Sequence, residues 1–204
     1  MTEWRRSRWA NPAGWYTTIG LFLLAFSLWI PWLSASRTAR VERRANGLAE
    51  ALLDATAGFE LPLDEADLHA IQARFYALAD SRGERTKDVE RMESPPEGTL
   101  LCLVNKHYAF QLAESPPDVN QQAGRRTMPA VEVIAWPQSG IGPGHCAFFY
   151  PENAARAYTR NLRAKYAGFE EYRPEPGGPH RRPGLGSRRS SQYPGRDNER
   201  WLIF

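Results

Sequence analysis

The pattern of apolar and polar positions divides the chain near residue 33. Residues 15–33 are nineteen consecutive positions without a charged side chain. At about 1.5 Å per residue they form a helix of about 28 Å, close to the hydrocarbon thickness of a bilayer. Asn11 suits the N-cap of this helix and Pro12 its first turn. The sequence therefore predicts a transmembrane helix over residues 15–33 after a short tail over residues 1–14.

Aromatic residues stand at both ends of this apolar stretch. Trp15 and Tyr16 lie at one end, and Trp29 and Trp32 lie at the other. Because indole and phenol rings favour the headgroup boundary, we interpret these four residues as membrane-interface residues. A cleaved signal peptide is the alternative, although its apolar core is shorter and residues 33–36 match a cleavage site poorly.

Arginines flank the apolar stretch on both sides. Arg5, Arg6 and Arg8 precede it, and four arginines follow it at positions 37, 40, 43 and 44. The positive charges on the two sides are therefore nearly equal, and the positive-inside rule gives little preference for either orientation. We expect a protein of the bacterial inner membrane with a cytoplasmic N-terminus and a periplasmic C-terminal domain, in the manner of a signal anchor.

Two helical patterns follow the membrane segment. Residues 34–58 continue the helix, and their apolar stripe recurs at spacings of three and four: Val41, Ala45, Leu48, Leu52 and Ala55. This stripe packs on the chain's own domain or, alternatively, on a partner. A second helix begins after Asp64, which caps it, and its predicted buried face consists of Leu68, Ile71, Phe75 and Leu78.

Short apolar runs predict strands over residues 99–104, 107–112, 130–136 and 145–150. Residues 157–159 are interpreted as a further strand, and a helix over residues 152–166 is the alternative. The predicted fold class is α+β: one transmembrane helix continuing into an amphipathic helix, and a small antiparallel sheet. The extramembrane domain is expected to cover residues 34–170.

The composition changes after residue 170. Residues 171–204 are rich in Pro, Gly and Arg, a composition that disfavours regular structure. We predict an extended arm here. Its tip is apolar and consists of Trp201, Leu202, Ile203 and Phe204. The tip is interpreted either as the end of a disordered tail or as a partner-binding tether that fills a neighbour's pocket.

The chain contains two cysteines, Cys102 and Cys146. They are too few for a four-cysteine zinc site, and we interpret them as two small buried hydrophobic residues. A disulfide between them is the alternative if the domain faces an oxidising compartment.

No residue pattern predicts catalysis or metal binding. The four histidines are scattered, and no pair has the i, i+4 spacing of a helical metal site. His145 and Cys146 are adjacent, but neighbouring side chains on a strand point to opposite faces. The net charge of +3 rests mainly on arginine, which without organised aromatic residues is weak support for nucleic-acid binding. We expect no enzyme, no cofactor and no nucleic-acid partner.

The order of predicted elements resembles that of type IV pilins and pseudopilins. In both, an apolar N-terminal helix continues as an amphipathic helix and is followed by a loop and antiparallel strands. Residues 14–19 are similar to the family's processing region, where a glycine precedes an aromatic residue. Ile19 stands where the family has an acidic residue. The resemblance implies a filament or assembly component.

These features predict a non-catalytic, single-pass structural or assembly subunit of a larger membrane complex, either bioenergetic (photosynthetic or respiratory) or secretory. The expected partners are other membrane-protein subunits and the lipid bilayer. Two alternatives stand beside this prediction. One is a pilin-like filament component, and the other is a membrane-anchored enzyme or binding domain that uses the region near His145.

Overall fold

The computed structural model describes residues 12–116, 130–170, 172–181 and 191–204. Within these residues the chain forms two helices and one eight-stranded antiparallel sheet, which confirms the α+β class. The predicted Asn11 cap and the arginines at positions 5, 6 and 8 lie outside the described residues.

Helix α1 spans Pro12–Ala55 as one element of 44 residues, with Pro31 inside it. At about 1.5 Å per residue it is roughly 66 Å long, about twice the thickness of a bilayer core. Its two halves have opposite surroundings. The large apolar side chains of residues 15–33 are exposed, whereas Ala45, Leu48, Leu52 and Ala55 are fully buried. One half therefore extends uncovered, and the other packs into the domain.

Helix α2 spans Glu65–Ser81 and begins as predicted. An Asp64 carboxylate oxygen accepts the N–H of Asp67 at 2.8 Å, and Asp67 accepts the N–H of Asp64 at 3.1 Å. This reciprocal capping box satisfies two backbone donors of the first turn. The buried residues are Leu68, Ile71, Phe75 and Ala79. Leu78, predicted to be buried, is only partly so.

The eight strands are short. They are β1 Glu90–Arg91, β2 Thr99–Val104, β3 Tyr108–Ser115, β4 Ala130–Pro137, β5 Ala147–Pro151, β6 Ala157–Thr159, β7 Gln192–Pro194 and β8 Arg200–Ile203. Their spatial order is β1-β2-β3-β4-β5-β6-β8-β7. The longest ladder joins β3 to β4, from Tyr108 opposite Pro137 to Ser115 opposite Ala130. The four predicted strands are confirmed, and residues 157–159 form a strand instead of the alternative helix.

Both faces of the sheet are buried. Helices α1 and α2 cover the face that carries Phe110, Val133 and Tyr150. The opposite face carries Ile134, Trp136 and Phe149, and these pack with three aromatic residues from later in the chain: Tyr166, Tyr193 and Trp201. Burial on two faces explains why the central strands are nearly continuous apolar runs.

The predicted extended arm is not confirmed. Strands β7 and β8 add to the sheet beyond β6, and Trp201 is 0% exposed. The expectation that Pro and Gly exclude regular structure is therefore wrong for these residues. Both strands are so short that Gly195 falls in the turn between them. Pro194 lies on the edge strand β7, where a missing N–H disturbs the sheet least.

The disulfide alternative is wrong for this structure, because both thiols are free. Cys102 lies on β2, and Cys146 lies just before β5. These strands are three positions apart in the sheet, which corresponds to roughly 14 Å. A disulfide requires Cα atoms within about 7 Å of each other. The burial of Cys102 agrees with the interpretation as a small hydrophobic residue.

We expect Trp201→Ala to lower the free energy of unfolding by about 3–5 kcal/mol, because it removes a large side chain from a filled core. In a chain of this size the melting temperature should fall by about 6–20 °C. Thermal unfolding of the full chain in detergent, followed by near-UV circular dichroism, measures this.

Phe204→Ala is the matched control, because Phe204 is 54% exposed and its loss should cost only about 1 kcal/mol. Equal melting temperatures for wild type and Trp201→Ala would contradict the burial of Trp201.

Candidate functional site

The exposed apolar half of α1 is the largest candidate interaction surface. Helix α1, taken from Trp15 to Ala55, is long and apolar enough to cross a membrane. Ser27 donates its hydroxyl to the Leu24 carbonyl, and Ser36 donates to the Leu33 carbonyl, each at 2.9 Å. A hydroxyl that donates to a carbonyl of its own helix leaves no unpaired donor, so such a serine is compatible with the hydrocarbon of a bilayer. Trp15, Tyr16, Trp29 and Trp32 are all exposed, and their interface role remains a prediction.

Three polar side chains of α1, spaced one turn apart, attach the helix to the segment around β5. The contacts are Glu42 with the backbone N–H groups of His145 (2.9 Å) and Cys146 (3.1 Å), Asn46 with the Tyr150 hydroxyl (2.7 Å), and Glu50 with Arg156 (2.5 Å). Residue numbers rise together along both elements, so α1 and β5 run in the same direction. The chain before His145 therefore lies toward the exposed half of α1.

The environment of Cys146 opposes a nucleophilic role near His145. Burial, and after it the Glu42 carboxylate, raise the pKa of the Cys146 thiol to about 12. Burial alone raises the pKa of the Cys102 thiol to about 12. Reactive cysteines have lowered pKa values, because the thiolate is the attacking species. This region acts as an attachment between loop and helix.

A buried polar trio lies on the other side of the sheet. Glu132, on β4, is fully buried, and its carboxylate contacts His180 Nε2 at 2.7 Å and accepts the Gly177 N–H at 2.6 Å. Ser115 Oγ lies 3.1 Å from the same His180 nitrogen. In a Ser-His-acid triad the serine and the acid contact different ring nitrogens. Since Ser115 and Glu132 share one nitrogen, the trio has no triad geometry.

The trio's position gives it a structural role. Glu132 and His180 join β4 to residues 172–181, which cover the second face of the sheet. Sequence reasoning missed this pair because its members are 48 residues apart. Glu132 itself was a detectable signal, since a lone acidic residue within an apolar strand needs a buried partner.

Two surface clefts have linings in which cations outnumber carboxylates, although Glu199 lies in the first and Glu175 and Asp197 lie in the second. One of about 530 Å³ lies between the ends of β6 and β8, and its lining includes Arg160, Arg163 and Arg200. Another of about 410 Å³ includes Lys165 and Arg196 in its lining. Among the residues that the structure describes, no three metal-ligating side chains come together.

The predicted partner-binding tip is divided between the core and the surface. Trp201 is buried, and its indole N–H donates to Asp197 at 3.1 Å. Leu202 is partly buried. Ile203 and Phe204 are exposed, and the Phe204 ring contacts two tyrosines of the sheet. Partner binding by this tip remains a prediction, and the accessible part of it is Ile203 and Phe204.

Comparison of the chain with protein-family models, with curated proteins and with solved structures finds no match. The resemblance to pilins therefore remains a prediction from the order of elements. The class that the geometry supports is a protein with one candidate membrane helix at the N-terminus of an α+β domain.

We expect Glu42→Ala to release the loop before β5, because one carboxylate oxygen accepts both backbone N–H groups. The loss should be about 1–3 kcal/mol of unfolding free energy. Hydrogen exchange at residues 145 and 146 should accelerate, and Cys146 should react faster with an alkylating reagent.

Glu42→Gln is the control, because its amide oxygen still accepts from both donors while the charge is lost. If Glu42→Ala left exchange and alkylation unchanged, the attachment of α1 to this loop would be refuted.

Proposed function

We propose that this chain is a non-catalytic, single-pass structural or assembly subunit of a larger membrane complex, bioenergetic or secretory. One observation supports this most strongly: a single helix is uncovered along a nineteen-residue apolar stretch and packs into the domain from Ala45 onward. A cylinder about 28 Å long and 10 Å wide presents roughly 900 Å² of side surface. Soluble monomers rarely expose apolar patches above about 600 Å². A bilayer and neighbouring helices would cover this surface.

The membrane helix also has room for a neighbour. Gly20, Ala25 and Ser27 are small residues of the kind that let helices approach in a membrane. A Cβ added to Gly20 would meet no atom of this chain within 4 Å. Outside the bilayer, exposed Ile203 and Phe204 offer a second apolar contact. We assign the chain to a bacterial inner membrane, with a cytoplasmic N-terminus and a periplasmic domain.

We expect the full chain, solubilised in mild detergent, to retain a defined set of larger subunits in native mass spectrometry. Gly20→Leu adds bulk without an internal clash, so it should remove at least one companion while leaving the fold unchanged. Leu23→Met is the matched control, because it keeps both apolarity and volume. A stable monomer without companions would exclude this proposal, and retention of every companion by Gly20→Leu would exclude packing at Gly20.

A pilin-like filament component is the second candidate. The observation that favours it is the packing of the second half of α1 across an antiparallel sheet, while the first half is uncovered. This is the architecture that the family resemblance implies. Ile19, in place of the family's acidic residue, counts against it.

The intact mass of the mature protein separates the two candidates. Processing in the pilin manner would cut after Gly14 and leave Trp15 as the first residue, whereas the subunit proposal expects residues 1–14 to be retained. A mature chain that begins at Trp15 supports the second candidate, and retention of residues 1–14 excludes pilin processing.

A further inference from the structure

Three loops meet at one end of the central strands, and this edge of the sheet is distinct from its edge strands β1 and β7. They comprise residues 105–107, 138–146 and 160–168, and they connect to the start of β3, the end of β4, the start of β5 and the end of β6. The loops contact one another through backbone groups. The Gln138 N–H donates to the His107 carbonyl at 2.9 Å, and the Gly168 N–H donates to the carbonyl of Pro137, at the end of β4, at 3.2 Å. The edge is therefore one continuous surface.

This edge lies toward the uncovered half of α1. Glu42 accepts the N–H groups of His145 and Cys146, just before β5. Because α1 and β5 run in the same direction, the chain before His145 lies on the side of the apolar half. Glu42 is nine residues beyond Leu33, which corresponds to about 13 Å along the helix. The headgroup layer extends about 5–8 Å beyond each side of the hydrocarbon core. The loop over residues 139–144 is thus placed close to that layer.

The charge of the edge is positive. The three loops carry four cationic residues and no acidic residue: Lys106, Arg160, Arg163 and Lys165. Helix α1 adds Arg37 and Arg40 just outside the apolar stretch. After burial, the charges of Lys106 and Arg37 are the leading causes that lower the pKa of His107. The cations of the loop and of the helix therefore lie near one another.

Glu175 lines a cleft together with Lys165, and the other carboxylates near this edge are engaged or lie farther from the apolar half. Glu42 accepts the loop N–H groups, and Asp88 pairs with Arg44. Asp197 accepts the indole N–H of Trp201, and Glu199 accepts the hydroxyl of Thr159. Glu84 packs beside Gly47. At the opposite edge, the connections that the structure describes contain Glu60, Glu93, Glu97 and Glu152. Charge is therefore segregated along the axis of α1.

Two aliphatic side chains project from the same edge. Ile141 is 98% exposed and Leu162 is 84% exposed, the highest values among large apolar residues in the described part of the chain. Neither side chain contributes to the core. Aliphatic tips beside cations are typical of elements that lie in a membrane interface, where the tips enter the acyl boundary and the cations contact phosphates.

We propose that this surface, the rim formed by Lys106, Ile141, Arg160, Leu162, Arg163 and Lys165, docks on the anionic phospholipid headgroups of the bilayer that α1 crosses. The inference rests on the proposed membrane crossing of α1. The rim holds the domain against the membrane surface. The partner is anionic lipid, because each cation close to such a surface strengthens docking about fivefold.

The test uses the full chain in nanodiscs, either of phosphatidylcholine alone or of phosphatidylcholine with about a third phosphatidylglycerol. Hydrogen exchange is measured over residues 138–146 and 160–168. We expect several-fold slower exchange in the anionic discs, with the difference reduced at high salt because screening shortens the reach of the charges. Arg160→Gln with Arg163→Gln should remove most of the difference, and Ile141→Ser with Leu162→Ser should reduce it.

The matched control is Asn153→Glu with Ala154→Glu. It changes the net charge by the same amount, but on exposed residues at the opposite edge, and it should leave the lipid dependence intact. If the chain inserts and exchange is equal in both disc types, docking of the rim on anionic lipid is refuted, while the proposed membrane crossing stands. Failure of the chain to insert into either disc would instead refute the membrane crossing. Lipid dependence that survives Arg160→Gln with Arg163→Gln would also overturn the rim.

Discussion

Burial of both faces of a single sheet is the constraint on which the domain depends. Strands β3 and β4 are buried at nearly every position, so each is covered on two sides. Helices α1 and α2 cover one face of the sheet. The last segment of the chain covers the other face, held by Trp201 and by the buried pair of Glu132 and His180. Because burial is worth about 25 cal/mol per Å² of apolar surface, both covers contribute to stability.

Helix α1 is shared between this core and the proposed membrane. No loop separates its uncovered half from its buried half, so the direction of one sets the direction of the other. Three side chains of α1 also fix the direction of the helix relative to the sheet, because they bond successive positions around β5: Glu42, Asn46 and Glu50. A rotation of the proposed membrane helix would therefore be transmitted to the domain, whereas a flexible linker would absorb it.

Periodicity predicted both helices and the central strands, because those elements are long enough for their own pattern to specify them. It missed β1, β7 and β8, which have two to four residues and exist only through pairing with neighbours. Nearly continuous apolar strands indicate a second layer on the sheet, and Tyr166, Tyr193 and Trp201 provide it. The Pro- and Gly-rich composition near Tyr193 and Trp201 did not indicate strands, because β7 and β8 fit between the prolines and glycines or tolerate them at the sheet edge. The rim was not predictable, because its loops come together only in the fold.

The order of exposed residues along α1 follows the profile of a bilayer. Residues 15–33 carry no charge, the next residues and the rim carry cations, and the described connections at the far edge of the sheet carry carboxylates. Packing does not require this order, because these side chains are exposed and the core forms without them. A charged residue is disfavoured in hydrocarbon and a cation is favoured beside anionic headgroups. The arrangement therefore agrees with a domain placed at a membrane surface better than with one free in solution.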